Sequence, residues 1–183
     1  GKQSKPVSVA DLKDVIDVAG GGYHTCAVKK DGTVWCWGRN TDGQIGNGVA
    51  SSTDILKPTQ VSGVSGATRV ALGNVSSCAL LKTGAVQCWG SNSYKIMGSD
   101  TTDQLKPVTI TGLPKMLSIS MGAYTLTGVG ADQAVWTTGY NTYGLTGIGN
   151  TTTPISPAKE ITAAGKPSAG VSAGYYMTYF IDK

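Results

Sequence analysis

Four cysteines, one histidine and eleven carboxylates are the residues of this 183-residue chain with the capacity for chemistry. Cys26 and Cys36 stand ten positions apart, and so do Cys78 and Cys88. Zinc coordination needs two cysteines within a few residues or a histidine cluster beside them. The spacing differs, and His24 is the only histidine. A reactive thiol needs a fixed positive neighbour, and no basic residue is fixed beside these cysteines. A disulfide needs only that the fold bring two Cβ atoms to about 4 Å. The pattern therefore favours the disulfides Cys26–Cys36 and Cys78–Cys88. Buried thiol pairs, and metal or redox chemistry, stay as alternatives.

No other set of residues makes a catalytic constellation. His24 permits at most one histidine-based dyad, and a hydrogen-bonded structural histidine is the expectation. The only glutamate is Glu160, and no two carboxylates are paired by spacing for acid–base work. Asp11, Asp14 and Asp17 lack the glycine and closing glutamate of a calcium loop, and are expected to solvate the connector into the first strands. Gly20-Gly21-Gly22 is no phosphate loop, because it recurs as Leu72-Gly73-Asn74 and Met121-Gly122-Ala123. A close approach of backbones explains it better. The expectation is no catalytic residue, no metal, no cofactor and no enzymatic activity.

The cysteines acquire meaning from the elements that carry them, and those elements repeat. Ala19–Val28 aligns without a gap on Ala71–Leu80, and Lys30–Gly38 on Lys82–Gly90. A third copy holds Gly122, Tyr124, Asp132, Val135, Trp136, Gly139 and Asn141; a fourth begins at Ala173. Pro6, Pro58, Pro107 and Pro157 recur in step with the copies. Each copy reads as short strands. Two of them form a hairpin around Lys30-Asp31-Gly32 or Lys82-Thr83-Gly84, a three-residue loop with glycine in the left-handed position. In the third copy Gln133 replaces that glycine, so the turn should be strained or differently shaped. Counting back from the loop pairs Lys29 with Thr33, Val28 with Val34, and so Cys26 with Cys36. In the third copy both cysteine positions change together, to Thr127 and Thr137. The strands are apolar on both faces, as in a sheet sandwiched between neighbours. Four short antiparallel strands per unit of about 50 residues, stacked face to face, make a β-propeller-type blade. The fold class expected is all-β. The whole chain, 1–183, reads as one repeat domain with units at about 6–57, 58–106 and 107–156 and a partial unit at 157–183.

Composition agrees. The chain has 26 glycines and only 14% charged residues, unlike a helical bundle. The net charge of +4 is scattered without a basic run or stripe, so no nucleic-acid partner is expected. No apolar run reaches membrane-spanning length, so no membrane insertion is expected.

Trp35-Cys36-Trp37-Gly38-Arg39-Asn40-Thr41-Asp42-Gly43-Gln44-Ile45-Gly46-Asn47-Gly48, with Gly21–Ala27 upstream, resembles the regulator of chromosome condensation repeat. The second unit keeps only Gly98 of the loop, and the third keeps Gly139, Asn141, Gly144 and Gly147. The resemblance implies a seven-bladed propeller, of which this chain holds between three and four units. It also implies, as one function, guanine-nucleotide exchange on a Ran-type GTPase. The set is completed by a longer chain, by closure as a smaller ring, or by a homo-oligomer; self-association is the leading expectation.

Propellers bind through the loops at one end of the blades. The loop after the fourth strand of each unit offers Arg39, Asp42 and Gln44, then Tyr94 and Lys95, then Tyr140 and Tyr143, as candidate contacts. The three tyrosines should be exposed together. Two disulfides imply an oxidising compartment, extracellular or cell-surface, with the periplasm also open. The function expected is a non-enzymatic binding or adhesion module for a protein or glycan, such as the tip or adhesive part of a bacterial surface or fibre protein, in keeping with the Thr/Ser/Gly-rich surface. An exchange factor, or a protein inhibitor of a secreted enzyme, are the alternatives.

Overall fold

The computed structural model describes residues 5–9, 11–98, 100–161 and 170–181. Among them there is no helix, and so none long and apolar enough to cross a membrane. Three antiparallel four-stranded sheets follow one another along the chain. The first holds β1 (Val15–Gly20), β2 (His24–Lys29), β3 (Val34–Asn40) and β4 (Ser51–Gln60). The second holds β5 (Ala67–Leu72), β6 (Ser76–Leu81), β7 (Val86–Gly90) and β8 (Gln104–Thr109). The third holds β9 (Met116–Met121), β10 (Thr125–Gly130), β11 (Val135–Gly139) and β12 (Ile155–Glu160). A two-stranded sheet, β13 (Gly170–Ala173) and β14 (Thr178–Ile181), comes last. These are propeller blades in an open array; the ring is not closed.

The prolines show how repeat and blade relate. Pro58 and Pro107 lie inside β4 and β8, which end the first two blades, and Pro157 lies in β12. A proline lacks the N–H of an inner ladder position, so it suits an edge strand. The sequence period and the blade are thus out of phase by one strand.

The hairpins keep the counted register. Cys26 faces Cys36 and Cys78 faces Cys88, and each pair is joined, with Cα atoms 4.1 and 4.0 Å apart. Thr127 faces Thr137 in the same place, and their hydroxyls lie 3.4 Å apart in the interior. The third turn is strained, not reshaped. Gln133 takes φ +65°, beside +82° at Gly32 and +84° at Gly84. Its N–H reaches the Gly130 carbonyl at 2.9 Å, as Gly84 reaches Leu81.

The core lies between blades. Cys26, Val28, Val34, Cys36, Ile45 and Val61 of the first pack on Val70, Leu72 and Trp89 of the second. Cys78, Leu80, Val86, Cys88 and Ile110 of the second pack on Met116, Met121 and Leu126 of the third. Both disulfides are fully buried in these seams. The strands β1, β5, β9 and β13 lie side by side along the inner edge. There the recurring glycines act as the sequence suggests. A Cβ on Gly21 would sit 2.6 Å from the Gly73 carbonyl, and one on Gly73 2.7 Å from the Ala123 carbonyl. Backbone bonds cross the same seam, Gly22 N–H to Gly73 O at 3.2 Å and Asn74 N–H to Ala123 O at 2.9 Å. Asp17 does more than solvate a connector: its carboxylate accepts the Val70 N–H at 2.8 Å, tying β1 to β5.

Candidate functional site

In each blade the turn between the first two strands and the loop between the last two fall at the same end. The loop is built around one asparagine. Asn40, Asn92 and Asn141 are all buried. Each accepts an N–H five residues on, from Ile45 at 3.1 Å, Met97 at 2.8 Å and Thr146 at 3.1 Å. Each amide also donates across the loop, to the carbonyls of Val49, Asp100 and Asn150 at 2.9, 3.0 and 2.9 Å. The side chain thereby replaces missing strand pairing and holds the tip rigid. A left-handed residue is required within it. Gly43 and Gly144 supply it at φ +75° and +70°; Lys95 takes the same place at φ +56°. Lys95 is therefore a loop-shaping position as well as a candidate contact.

In the first blade the rim is polar. The Arg39 guanidinium lies 5.6 Å from the Tyr23 ring centre. Its Nε donates to Thr41 Oγ1 at 2.9 Å, and Thr41 donates to the Asp42 carboxylate at 2.6 Å. Gln44 departs from expectation, because it is fully buried. Its side-chain oxygen accepts the Asp42 N–H at 2.9 Å, and its backbone carbonyl accepts Trp89 Nε1–H and the Ser77 hydroxyl, both at 2.9 Å. Gln44 thus holds the loop to the second blade and is not a contact residue. Its repeat equivalents Ile96 and Leu145 are buried as well, so the slot faces the seam in every blade.

From the second blade onward the rim is aromatic. Tyr94 lies 4.2 Å from Tyr124 and 5.0 Å from Tyr140, ring centre to ring centre. Tyr140 meets Tyr143 at 6.2 Å, Tyr143 meets Tyr176 at 5.9 Å, and Tyr176 meets Tyr175 at 4.5 Å. Tyr175 returns to Tyr124 at 6.3 Å. The structure so brings together the three predicted tyrosines. Tyr143 is 70% exposed, whereas Tyr94 and Tyr140 are only half-buried and support one another. Tyr124, Tyr175 and Tyr176 join them unannounced. Tyr175 and Tyr176 belong to the turn between β13 and β14. Their signal was present: Tyr176 is the repeat equivalent of Tyr23 and Tyr124, two residues in the turn at the loop end. Burial and neighbouring phenols raise the Tyr94 pKa, and burial followed by Tyr175 raises that of Tyr124. Both rings stay neutral through the physiological range. The Tyr124 hydroxyl also accepts a bond from Asn74 Nδ2 at 2.9 Å. Tyr175 lines, with the inner glycine turns, a cavity of about 230 Å³ at the axial edge.

His24 is a structural histidine. It is buried, with Nε2 2.8 Å from Ser77 Oγ, and burial lowers its pKa to about 4. Among the described residues no group of three or more His, Cys, Asp or Glu is placed to hold a metal ion.

Comparison with known proteins agrees with this geometry. Models of the regulator of chromosome condensation (RCC1) repeat match residues 15–44 and 67–95, and residues 31–80. The chain is 34% identical over 91 residues to an X-linked retinitis pigmentosa GTPase regulator homolog of Caenorhabditis elegans. That match covers 49% of this chain and 7% of the relative. Among solved structures, Prp20p from Saccharomyces cerevisiae, described with its binding to Gsp1p and histones, superposes with a TM-score of 0.81 at 19% identity. The superposition covers 94% of this chain and 45% of Prp20p. The ectodomain of the Arabidopsis thaliana receptor kinase ACR4 superposes with a TM-score of 0.54 at 20% identity, over 89% of this chain and 45% of that one. The chain thus spans less than half of either solved structure.

Proposed function

Since this chain carries regulator of chromosome condensation repeats, we propose that it is a non-enzymatic binding module whose loop end recognises another macromolecule, a protein in the first instance. The observation that carries this reading is the contiguous tyrosine surface on Tyr94, Tyr124, Tyr140, Tyr143, Tyr175 and Tyr176. Tyrosine offers a large, rigid, amphipathic contact area with few rotamers to lose. An exposed aromatic patch rimmed by polar loops marks an interaction site. Arg39, Asp42 and Lys95 extend the surface with charge on its flanks.

The two buried disulfides support an oxidising compartment, extracellular or cell-surface, because cytosolic thiols are kept reduced. A glycan is the alternative ligand, since sugar faces stack on tyrosine. Likeness to Prp20p favours a second reading, in which the chain contacts a GTPase of the Gsp1p kind or histones. The disulfides and the scattered basic charge speak against it. The outer blade surfaces, with Ile16 and Val18 exposed on one and Tyr179 and Phe180 on the other, support completion by a second copy or by further blades of a longer chain.

Arrays of cell-surface proteins and of glycans, probed with the chain and with a Tyr143→Ala/Tyr176→Ala variant, test the reading. A protein target bound by the native chain and lost in the variant is expected. Glycan targets alone would replace the protein assignment. Targets bound equally by both proteins would overturn the tyrosine site.

A further inference from the structure

Five of the tyrosines close a ring. Going round, the ring centres of Tyr124, Tyr140, Tyr143, Tyr176 and Tyr175 are separated by 6.2, 6.2, 5.9, 4.5 and, back to Tyr124, 6.3 Å. The planes of successive members meet at 83°, 80°, 73°, 87° and 68°. Adjacent walls of a five-sided prism meet at about 72°, and a pentagon of such edges has its centre about 5 Å from each corner. That distance lies inside the roughly 6 Å over which a cation is attracted to an aromatic face. Tyr94 packs from outside on Tyr124 and Tyr140 and braces that side.

We propose that this ring is a receptor for a quaternary ammonium group, the trimethylammonium shared by choline-type head groups and trimethylated lysine side chains. The proposal rests on the reading of the loop end as a recognition face and names what its centre takes. The choice of cation follows from what the walls contain. All five are phenols, so the ring brings aromatic π surface together and has no carboxylate of its own. A primary ammonium or a guanidinium would lose hydration without regaining charge-assisted hydrogen bonds. A methylated nitrogen has no N–H to satisfy, and its methyl groups lie well against rings. The raised pKa values of Tyr94 and Tyr124 keep those rings uncharged. The walls come from the third blade and from the β13–β14 turn, so the receptor exists only where those two elements are stacked.

The chain is titrated with tetramethylammonium, choline, trimethyllysine and the neutral isostere 3,3-dimethylbutan-1-ol, read by calorimetry and tyrosine side-chain resonances. Saturable binding of the three cations is expected, with the isostere about tenfold weaker or more. Tighter trimethyllysine assigns the source to a modified protein; tighter choline assigns it to a head group. Tyr143→Ala and Tyr176→Ala, both at exposed positions, should each weaken binding about tenfold with the melting curve unchanged. Tyr143→Phe should bind as the native chain does, since the face and not the hydroxyl is used. Absence of saturable tetramethylammonium binding, equal binding of the isostere, or native-like binding by both alanine variants would overturn the proposal. If the cations fail while the double alanine variant still loses its protein target, the recognition face stands and only the ring's ligand is wrong.

Discussion

Nε2 of His24, in the second strand of the first blade, lies 2.8 Å from Oγ of Ser77, in the second strand of the next blade. The Ser77 proton goes to the Gln44 carbonyl, so His24 donates through Nε2 and its Nδ1 is the acceptor nitrogen. That Nδ1 is buried without a partner. Protonating it would put a charge in the seam, which explains a pKa of about 4 against the usual 6.5. Because the folded value is the lower one, the unfolded chain binds the proton first as pH falls. Stability is therefore fully present above about pH 6.5 and declines towards pH 4, by a few kcal/mol at most. Urea melts at successive pH values should show this slope, and His24→Ser, the kind of residue the second blade has at Ser76, should flatten it. An unchanged slope in that variant would assign the acid sensitivity elsewhere.

Reduction should separate the two cysteine pairs from the rest of the fold. Each closes a short loop, so each contributes less than the ~3 kcal/mol of a 15-residue loop. Peptide mapping without reductant should recover Cys26 with Cys36 and Cys78 with Cys88. Dithiothreitol should lower the melting temperature without erasing the transition, because the seams retain their apolar packing.

The third blade offers the converse experiment. Thr127 and Thr137 are buried, directly opposed, and stand where the other blades carry cystine. The double replacement Thr127→Cys/Thr137→Cys should form a third disulfide and raise the melting temperature only under non-reducing conditions. Two free thiols in that variant, by alkylation and mass, would count against equivalent hairpin geometry.

Gln133 and Lys95 hold left-handed backbone where sister loops use glycine. Gln133→Gly should stabilise the chain by roughly 0.5–1 kcal/mol, the relief of strain outweighing the added freedom of the unfolded chain. Lys95→Gly should do the same and also report whether the lysine charge assists binding. Thermal melts decide the first point, and a loss of stability in both would show that the side chains contribute more than the backbone strain costs.

Trp89 is fully buried in the first seam, with its indole N–H on the Gln44 carbonyl and its ring against Gly46. Trp89→Ala should cost about 3–5 kcal/mol. Gly46→Ala should also destabilise, since its Cβ would meet the indole at 2.8 Å while φ is +72°. Denaturant titration checks both.

Much of this was readable from residue spacing. Hairpin register followed from the glycine turns and so did the cysteine pairing, because both depend on local counting. Blade phase did not, since Pro58 neighbours the next repeat in sequence but lies in β4, which pairs backward with β3. Gln44 reads as a contact because its polarity suggests solvent, whereas its buried slot is defined by a neighbour 45 residues away in sequence. The tyrosine ring escaped for the same reason. Its members come from Tyr124 to Tyr176 and meet only after the inner edges of the blades are stacked.

The glycine contacts along that inner edge also set the shape of the whole array. Where Gly21 meets Gly73, successive sheets approach to backbone distance, while farther out the indole of Trp89 holds them apart. This first pair of sheets is therefore a wedge, thin at the hub and thick towards the circumference. Its angle is fixed by the contrast between a residue with no side chain and the largest one available. Enlarging the hub residue would open the thin end, reduce the rotation from one sheet to the next, and require more sheets to complete a full circle.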